Sequence, residues 1–128
     1  MDHREVAEEW FRYADTDLKA AYHLQTMHPA PLEIICYHCQ QSCEKYLKGF
    51  IALSGGAIQK THDLVTLNKL CQSYRHEFSS ILDECINLTD FGIQTRYPFE
   101  LDIHEEDIKL AIESAEKIKK FFAEILNK

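Results

Sequence analysis

The chain has 128 residues, a length that suits one domain and leaves no room for a second catalytic domain. Hydrophobic residues make up 45% and charged residues 27%, which excludes an intrinsically disordered chain. The formal net charge of −7 excludes extended, non-specific DNA binding, because such binding depends on Lys and Arg neutralising phosphates. Any site for a nucleotide or an RNA phosphate is therefore expected to be local.

Apolar residues recur every three or four positions through the first stretch, which predicts an amphipathic helix over about residues 4 to 27. Pro31 suits the first turn of a second helix, which we expect to end near Ser54, at Gly55 and Gly56. Because the two helices are joined by a short turn, they should lie antiparallel.

Three further helical segments are predicted in the second half. Thr61 suits the N-cap of a shorter third helix, with Asp63 favouring its positive start. A fourth apolar stripe covers residues 78–88, and no glycine or proline separates it from the third, so the two could form one bent helix. Asp102 and Glu105 resemble a capping box before a last helix that runs almost to the C-terminus.

Strand-like alternation is absent over any useful length, and Gly and Pro number only 4 and 3. The predicted fold class is therefore all-α: a single domain over residues 1–128, an up-and-down bundle of about five helices. We expect the first, second and last helices to form its core.

Three cysteines lie on one face of the second helix, so a metal site there is geometrically conceivable. Cys36, Cys39 and Cys43 share this face with Leu32 and Phe50, and no other Cys or His pair completes a zinc spacing. We interpret them as core residues and predict no metal. An odd total of five cysteines favours free thiols in a reducing compartment.

The location that we predict is the cytoplasm, with no membrane contact. No apolar run approaches the length of a membrane-spanning helix, and the first ten residues lack the apolar segment of a secretory signal.

The opposite face of the second helix carries Gln40, Gln41, Glu44, Lys45 and Lys48, several of them paired at i, i+4. By itself this pattern is typical of a solvated helix face.

Two other segments combine side chains that suit phosphate chemistry. His62 and Asp63, after the basic Lys60, could bind an anion or transfer a proton, although the same residues are typical of a helix cap. Arg96 and Tyr97 could hold a phosphate and stack on a base, although such a pair also anchors loops.

Four sequence patterns occur in the order in which the HEPN family shows them, and the chain from about Glu9 to Leu126 resembles that family. They are Trp10 with Ala14, Asp17, Leu18 and Ala21; Gln40-Gln41 followed by Glu44-Lys45-Tyr46-Leu47-Lys48-Gly49; His62-Asp63-Leu64 with Leu67; and Arg96-Tyr97-Pro98.

The resemblance implies a helical bundle, often a homodimer, that binds nucleotide without a cofactor. It also implies pairing with a minimal nucleotidyltransferase in a toxin–antitoxin module. The nucleotide-binding residues predicted on this basis are Gln41, Glu44, Lys45, Lys48, His62, Asp63, Arg96 and Tyr97. We expect Lys45, His62 and Arg96 to converge around a shared cavity.

A metal-independent ribonuclease is the alternative function. In several branches of the family an arginine stabilises the phosphate charge and a histidine at a closer spacing transfers a proton. Here His104 lies eight positions after Arg96, so a binding module is the first interpretation and catalysis by Arg96 with His104, or with His62, the second.

A ligand-free dimerisation bundle is the third interpretation. It predicts that Trp10, Tyr13, Phe78 and Phe91 are only partly buried in a monomer.

Overall fold

A computed structural model describes residues 1–91 and 102–127, and within these ranges the chain forms five α-helices and no strand. The helices are α1 (His3–Leu24), α2 (Leu32–Leu53), α3 (Leu64–Tyr74), α4 (Leu82–Thr89) and α5 (Glu105–Ile125), with a 3-10 helix over His76–Ile81 that leads into α4. The predicted all-α bundle of about five helices is confirmed. None of the helices in the described ranges is long and apolar enough to cross a membrane.

The helices α1 and α2 are antiparallel, as the short connection predicted. The Phe11 ring stacks on Tyr46 with 6.0 Å between centroids, and Asp17, further along α1, contacts Lys45, which precedes Tyr46. At its start, α1 is capped by Asp2, whose carboxylate accepts the Glu5 N–H at 2.8 Å. It ends at Leu24, three residues short of the predicted end.

Small residues allow the two long helices to approach closely. Small buried residues spaced seven apart occur on both, namely Ala7, Ala14 and Ala21 on α1 and Ser42 and Gly49 on α2. At Gly49, an added Cβ would lie 2.5 Å from the Phe11 ring and 3.0 Å from Trp10 Cβ. Gly49 is therefore required by packing, although glycine weakens a helix interior.

The segment 54–63 runs back along α2, so α3 starts near the middle of α2 and is parallel to it. The Gln40 amide donates to the His62 carbonyl at 3.2 Å, and the Cys71 thiol, later in α3, donates to the Leu47 carbonyl at 3.6 Å. The connection from α2 to α3 is thus the exception to the up-and-down order, and it covers one face of α2.

The start of α3 lies two residues beyond the predicted cap. Asp63 is the N-cap, and its carboxylate accepts the Val65 N–H at 3.0 Å. The predicted N-cap, Thr61, instead accepts the Asp63 N–H through its hydroxyl at 3.1 Å. The alternative of one bent helix is also settled, because Arg75 has an extended backbone (φ −144°, ψ 111°) that separates α3 from the next element.

The capping box of α5 is shifted by two residues from the predicted one. His104 is the N-cap, and its backbone N–H donates to the Asp107 carboxylate at 2.9 Å. The prediction of Asp102 with Glu105 was wrong because this segment offers acidic residues at several neighbouring positions. Asp102 is exposed and contacts the His104 ring at 3.1 Å.

All five helices contribute to the core, which corrects the prediction that the first, second and last helices form it. Phe78, from the 3-10 helix, is fully buried against Phe50 and Phe122, with ring centroids 4.6 and 5.5 Å away. The expectation of a partly buried Phe78 was therefore wrong. Tyr13, in contrast, is half exposed.

The cysteines are core residues, as predicted from their position on the apolar stripe. All five are buried free thiols. Burial raises the pKa of Cys36 and of Cys39 to about 12, so both remain protonated thiols. Cys43 and Cys85 lie with their sulfur atoms 3.9 Å apart.

Candidate functional site

The polar face of α2 is largely buried, which corrects the expectation of a solvated face. Among residues 40–48, only Gln41 and Lys45 are not buried. The segment 54–63 and the start of α3 lie over this face, so Gln40 and Glu44 lose their contact with solvent. What remains accessible is a narrow line of side chains, His38, Gln41 and Lys45, which we call the α2 strip.

Beside the α2 strip lies a buried ion pair whose carboxylate also contacts an accessible histidine. The Glu44 carboxylate accepts from Lys48 Nζ at 3.0 Å and lies 3.1 Å from His62 Nδ1. The exposed fractions of the side chains are 5% for Glu44, 9% for Lys48 and 54% for His62. We call these three residues the Glu44 triad, and only its histidine extends well into solvent.

Two glutamines complete the surroundings of the Glu44 carboxylate. Gln40 donates from its amide to Glu44 Oε1 at 3.2 Å and to the His62 carbonyl at the same distance. Gln41 in turn donates to the Gln40 side-chain carbonyl at 2.8 Å. The glutamines hold both the carboxylate and the backbone of His62, so the imidazole position is fixed from two directions.

Asp63 serves the start of α3. Its carboxylate accepts from Val65, Thr66 and Thr89. The pKa of Asp63 is lowered: burial acts to raise it, but these hydrogen bonds together outweigh burial. The Thr89 hydroxyl also accepts the Leu64 N–H at 3.1 Å, which joins the end of α4 to the start of α3.

Two residues of the α2 strip belong to a second triad, which again combines a carboxylate, a lysine and a histidine. Asp17 of α1 accepts from Lys45 Nζ at 2.6 Å through one oxygen and lies 2.9 Å from His38 Nδ1 through the other. We call these residues the Asp17 triad. Burial acts to raise the pKa of Asp17, but the hydrogen bonds and charges of His38 and Lys45 lower it overall.

Sequence reasoning missed the roles of Asp17 and His38. A signal for Asp17 was present, because it is an acidic residue within the apolar stripe of α1 formed by Ala14, Leu18 and Ala21. A carboxylate on a buried stripe needs a cationic partner from another element. Nothing in the local sequence indicated that this partner would come from α2.

Lys45 belongs to the α2 strip, and His62 lies beside the strip. They contact different carboxylates, Asp17 and Glu44, and Gln41 lies between them on α2. Arg96 and Tyr97 lie outside the described ranges, and the predictions made for them therefore stay predictions.

A small pocket lies beside the Glu44 triad, where Lys48 reaches α1. The Lys48 ammonium is 6.0 Å from the centroid of the Trp10 ring, and Ile51, Gly56 and Ile58 complete much of the lining. Neither Lys45 nor His62 is among the lining residues.

His104, the predicted catalytic histidine, is exposed at the start of α5. Its Nε2 lies 3.1 Å from the carboxylate of Asp102. In the described residues, no three His, Cys, Asp or Glu side chains are grouped as a metal site.

A profile of the HEPN domain matches residues 7–126, and the chain belongs to this family. Its fold is similar to the crystal structure of ST0689, an archaeal HEPN homologue, with a TM-score of 0.71 and 23% identity over 91% of this chain and 94% of that one. The crystal structure of TT1696 from Thermus thermophilus gives a TM-score of 0.73 and 23% identity over 92% of this chain and 96% of that one. No match was found among curated proteins.

Proposed function

We propose that this protein is a nucleotide-binding HEPN module whose site lies along the α2 strip. The observation that carries the proposal is the Glu44 triad. In it a buried ion pair between Glu44 and Lys48 contacts one solvent-accessible imidazole, that of His62. A buried ion pair is a weak source of stability compared with apolar packing of the same volume. Its presence beneath an oriented histidine is better explained by a function of that histidine.

The chemistry of the site suits a phosphate. With Nδ1 of His62 directed at Glu44, Nε2 is free to donate to a phosphate oxygen when the ring is protonated. Gln41 and Lys45 provide further donors along the strip. Lys48 binds the carboxylate of Glu44, which positions the imidazole, and Asp63 caps the helix that follows His62.

Arg96 and Tyr97 are proposed as further phosphate and base contacts. The segment that carries them follows α4, whose last residue, Thr89, is hydrogen-bonded to Asp63 and Leu64 at the start of α3. That attachment joins the end of α4 to the start of α3, next to His62.

The partnership that we propose follows from the family: a homodimer that acts with a minimal nucleotidyltransferase in a toxin–antitoxin system in the cytoplasm. A pull-down of a nucleotidyltransferase encoded by a neighbouring gene, together with the molar mass in solution, tests both parts of this statement.

Titration of the purified protein with ATP, GTP and a short RNA tests the nucleotide site. Loss of one charge-assisted hydrogen bond at a half-exposed position corresponds to about tenfold weaker binding, so His62→Ala should show that loss. His23→Ala, at an exposed position near the end of α1, is the matched control and should bind as the wild type does. If none of the three ligands binds, the ligand-free dimerisation bundle becomes the better interpretation.

Metal-independent ribonuclease activity is the second candidate, supported by the exposed His104, whose Nε2 lies 3.1 Å from the Asp102 carboxylate. In this reaction the 2′-hydroxyl loses its proton and attacks the adjacent phosphate, the bond from phosphorus to the 5′-oxygen breaks, and a cyclic phosphate and a 5′-hydroxyl result. The histidine would transfer a proton in this step, and Arg96 would stabilise the phosphate charge. RNA cleavage in EDTA by the wild type, Arg96→Ala, His104→Ala and His62→Ala decides it. Equal cleavage by all four proteins would remove the assignment.

A further inference from the structure

We propose that the Asp17 triad is a second anion-binding site, which takes a second phosphate of the ligand whose first phosphate lies at His62. This inference rests on the proposed function and narrows its ligand class to compounds with at least two linked phosphates. Neither Asp17 nor His38 belongs to the residues for which the sequence indicated a ligand.

The donors of this site are available to a ligand. A lysine ammonium has three N–H donors, and Lys45 directs one of them at Asp17. His38 lies against the same carboxylate through Nδ1, which leaves Nε2 for a second contact when the ring is doubly protonated. The side chains of Lys45 and His38 are 24% and 27% exposed, so a ligand can reach both.

The carboxylate positions these donors. The Asp17 side chain is only 12% exposed and uses one oxygen for each partner. An imidazole fixed by a buried carboxylate through one nitrogen presents the other in a defined direction, as in catalytic and metal-binding histidines. Lys45 is held by the second oxygen, so both cationic groups are ordered before a ligand arrives, which lowers the entropic cost of binding.

The two triads hold separate imidazoles on different sides of α2. Asp17 of α1 holds His38, whereas Glu44 holds His62 from the segment before α3. Lys45 and Glu44 are consecutive on α2, so the triads lie side by side. We assign one phosphate to each imidazole, as a polyphosphate chain or two successive phosphates of an oligonucleotide would provide. Gln41, between the triads, provides an amide toward the intervening part of the ligand.

Binding of AMP, ATP and the 5′-phosphorylated dinucleotide pApA tests the inference in one series. The wild type should bind ATP or pApA at least about tenfold more tightly than AMP. Preference for ATP identifies a polyphosphate, and preference for pApA identifies an RNA end. Equal affinity for AMP and both longer ligands would overturn the second site while leaving nucleotide binding at His62 intact.

Variants assign the two sites separately. Lys45→Ala and His38→Ala should weaken binding of the preferred longer ligand about tenfold and weaken AMP binding by a smaller factor, whereas His62→Ala should weaken the binding of all ligands. Lys45→Arg keeps the charge and should retain most of the affinity, which separates anion binding from a fold defect. Lys19→Ala, which removes an exposed lysine paired with Asp15 on α1, is the matched control.

If AMP binding falls as much as ATP binding in the Lys45 and His38 variants, the Asp17 triad does not hold a separate phosphate. If no nucleotide binds to the wild type at all, the proposed function fails and the second site with it.

Discussion

The two sides of α2 carry the same chemical set, a carboxylate with one lysine and one histidine, in different surroundings. On the α1 side, Asp17 bonds Lys45 at 2.6 Å and lies 2.9 Å from its histidine; on the α3 side, Glu44 has the corresponding distances of 3.0 and 3.1 Å. The difference lies in the lysine, which is accessible on the α1 side and buried on the α3 side. The lysine of the Asp17 triad can therefore be reached from solvent, whereas the lysine of the Glu44 triad is a buried counter-charge.

The neighbouring elements explain this difference. On the α1 side the helices approach through small residues such as Ala14 and Gly49, and the longer polar side chains are left at the edge of the contact. On the α3 side the segment 54–63 returns along α2 and covers the polar residues themselves. Covering a charged pair is tolerated only when each group retains partners, and Glu44 retains Gln40, Lys48 and His62.

The largest change in stability is expected when the carboxylate of the Glu44 triad is neutralised, and the same change in the Asp17 triad provides the comparison. Glu44→Gln leaves Lys48 buried without its counter-charge, so the free energy of unfolding should fall by about 3–5 kcal/mol. Asp17→Asn leaves a lysine and a histidine that can reach water, so the loss should be smaller, about 1–3 kcal/mol. Urea unfolding at pH 7 measures both.

Glu124→Gln removes an exposed carboxylate near the end of α5 and serves as the control, with an expected change within about 0.5 kcal/mol. Equal losses for the two triad variants would contradict the contrast between the two sides of α2.

Because α1 and α2 approach closely at Gly49, replacing this glycine by alanine should lower stability, the opposite of the usual effect in a helix. In an unhindered helix interior, Gly→Ala stabilises by up to about 1 kcal/mol. Gly49→Ala should instead destabilise by about 1–3 kcal/mol, because the new methyl group overlaps the Phe11 ring. The double variant Gly49→Ala with Phe11→Leu should recover part of this loss of stability. If the unfolding free energies of the two single variants simply add in the double variant, the alanine methyl group and the Phe11 ring do not clash.

The Asp17 triad also predicts a dependence of stability on acid pH. Because the pKa of Asp17 is lowered in the folded protein, its contribution is present above the ordinary aspartate value of 3.8 and is lost as the pH falls through the lower folded value. The stability difference between the wild type and Asp17→Asn should therefore shrink as the pH falls from about 5 to values below 3.8. A difference that stays constant over this interval would mean that the carboxylate is not stabilised by its partners.

The helices themselves could be predicted from the sequence, because apolar periodicity is a local property, and α2 was expected between Pro31 and Ser54, where it lies. Cap positions were displaced by two residues at α3 and α5, since neighbouring Thr, Asp and His side chains compete for the same backbone N–H groups. Tertiary contacts explain the larger errors. Burial of the polar face of α2 depends on the path of segment 54–63, and the pairing of Asp17 with His38 joins residues that are 21 positions apart.

The smallest expected effect concerns Ser42, on the α1 side of α2. Its hydroxyl is buried and, among the described residues, is the only buried side-chain polar atom without a hydrogen-bond partner. A buried hydroxyl that makes no hydrogen bond carries a desolvation cost with no compensation, so Ser42→Ala should leave stability unchanged or raise it by up to about 1 kcal/mol. Thermal and urea unfolding measure the change. A loss above about 1 kcal/mol would show that the hydroxyl has a partner in solution, such as an ordered water molecule. Water would then enter the interface between α1 and α2 in spite of its close packing.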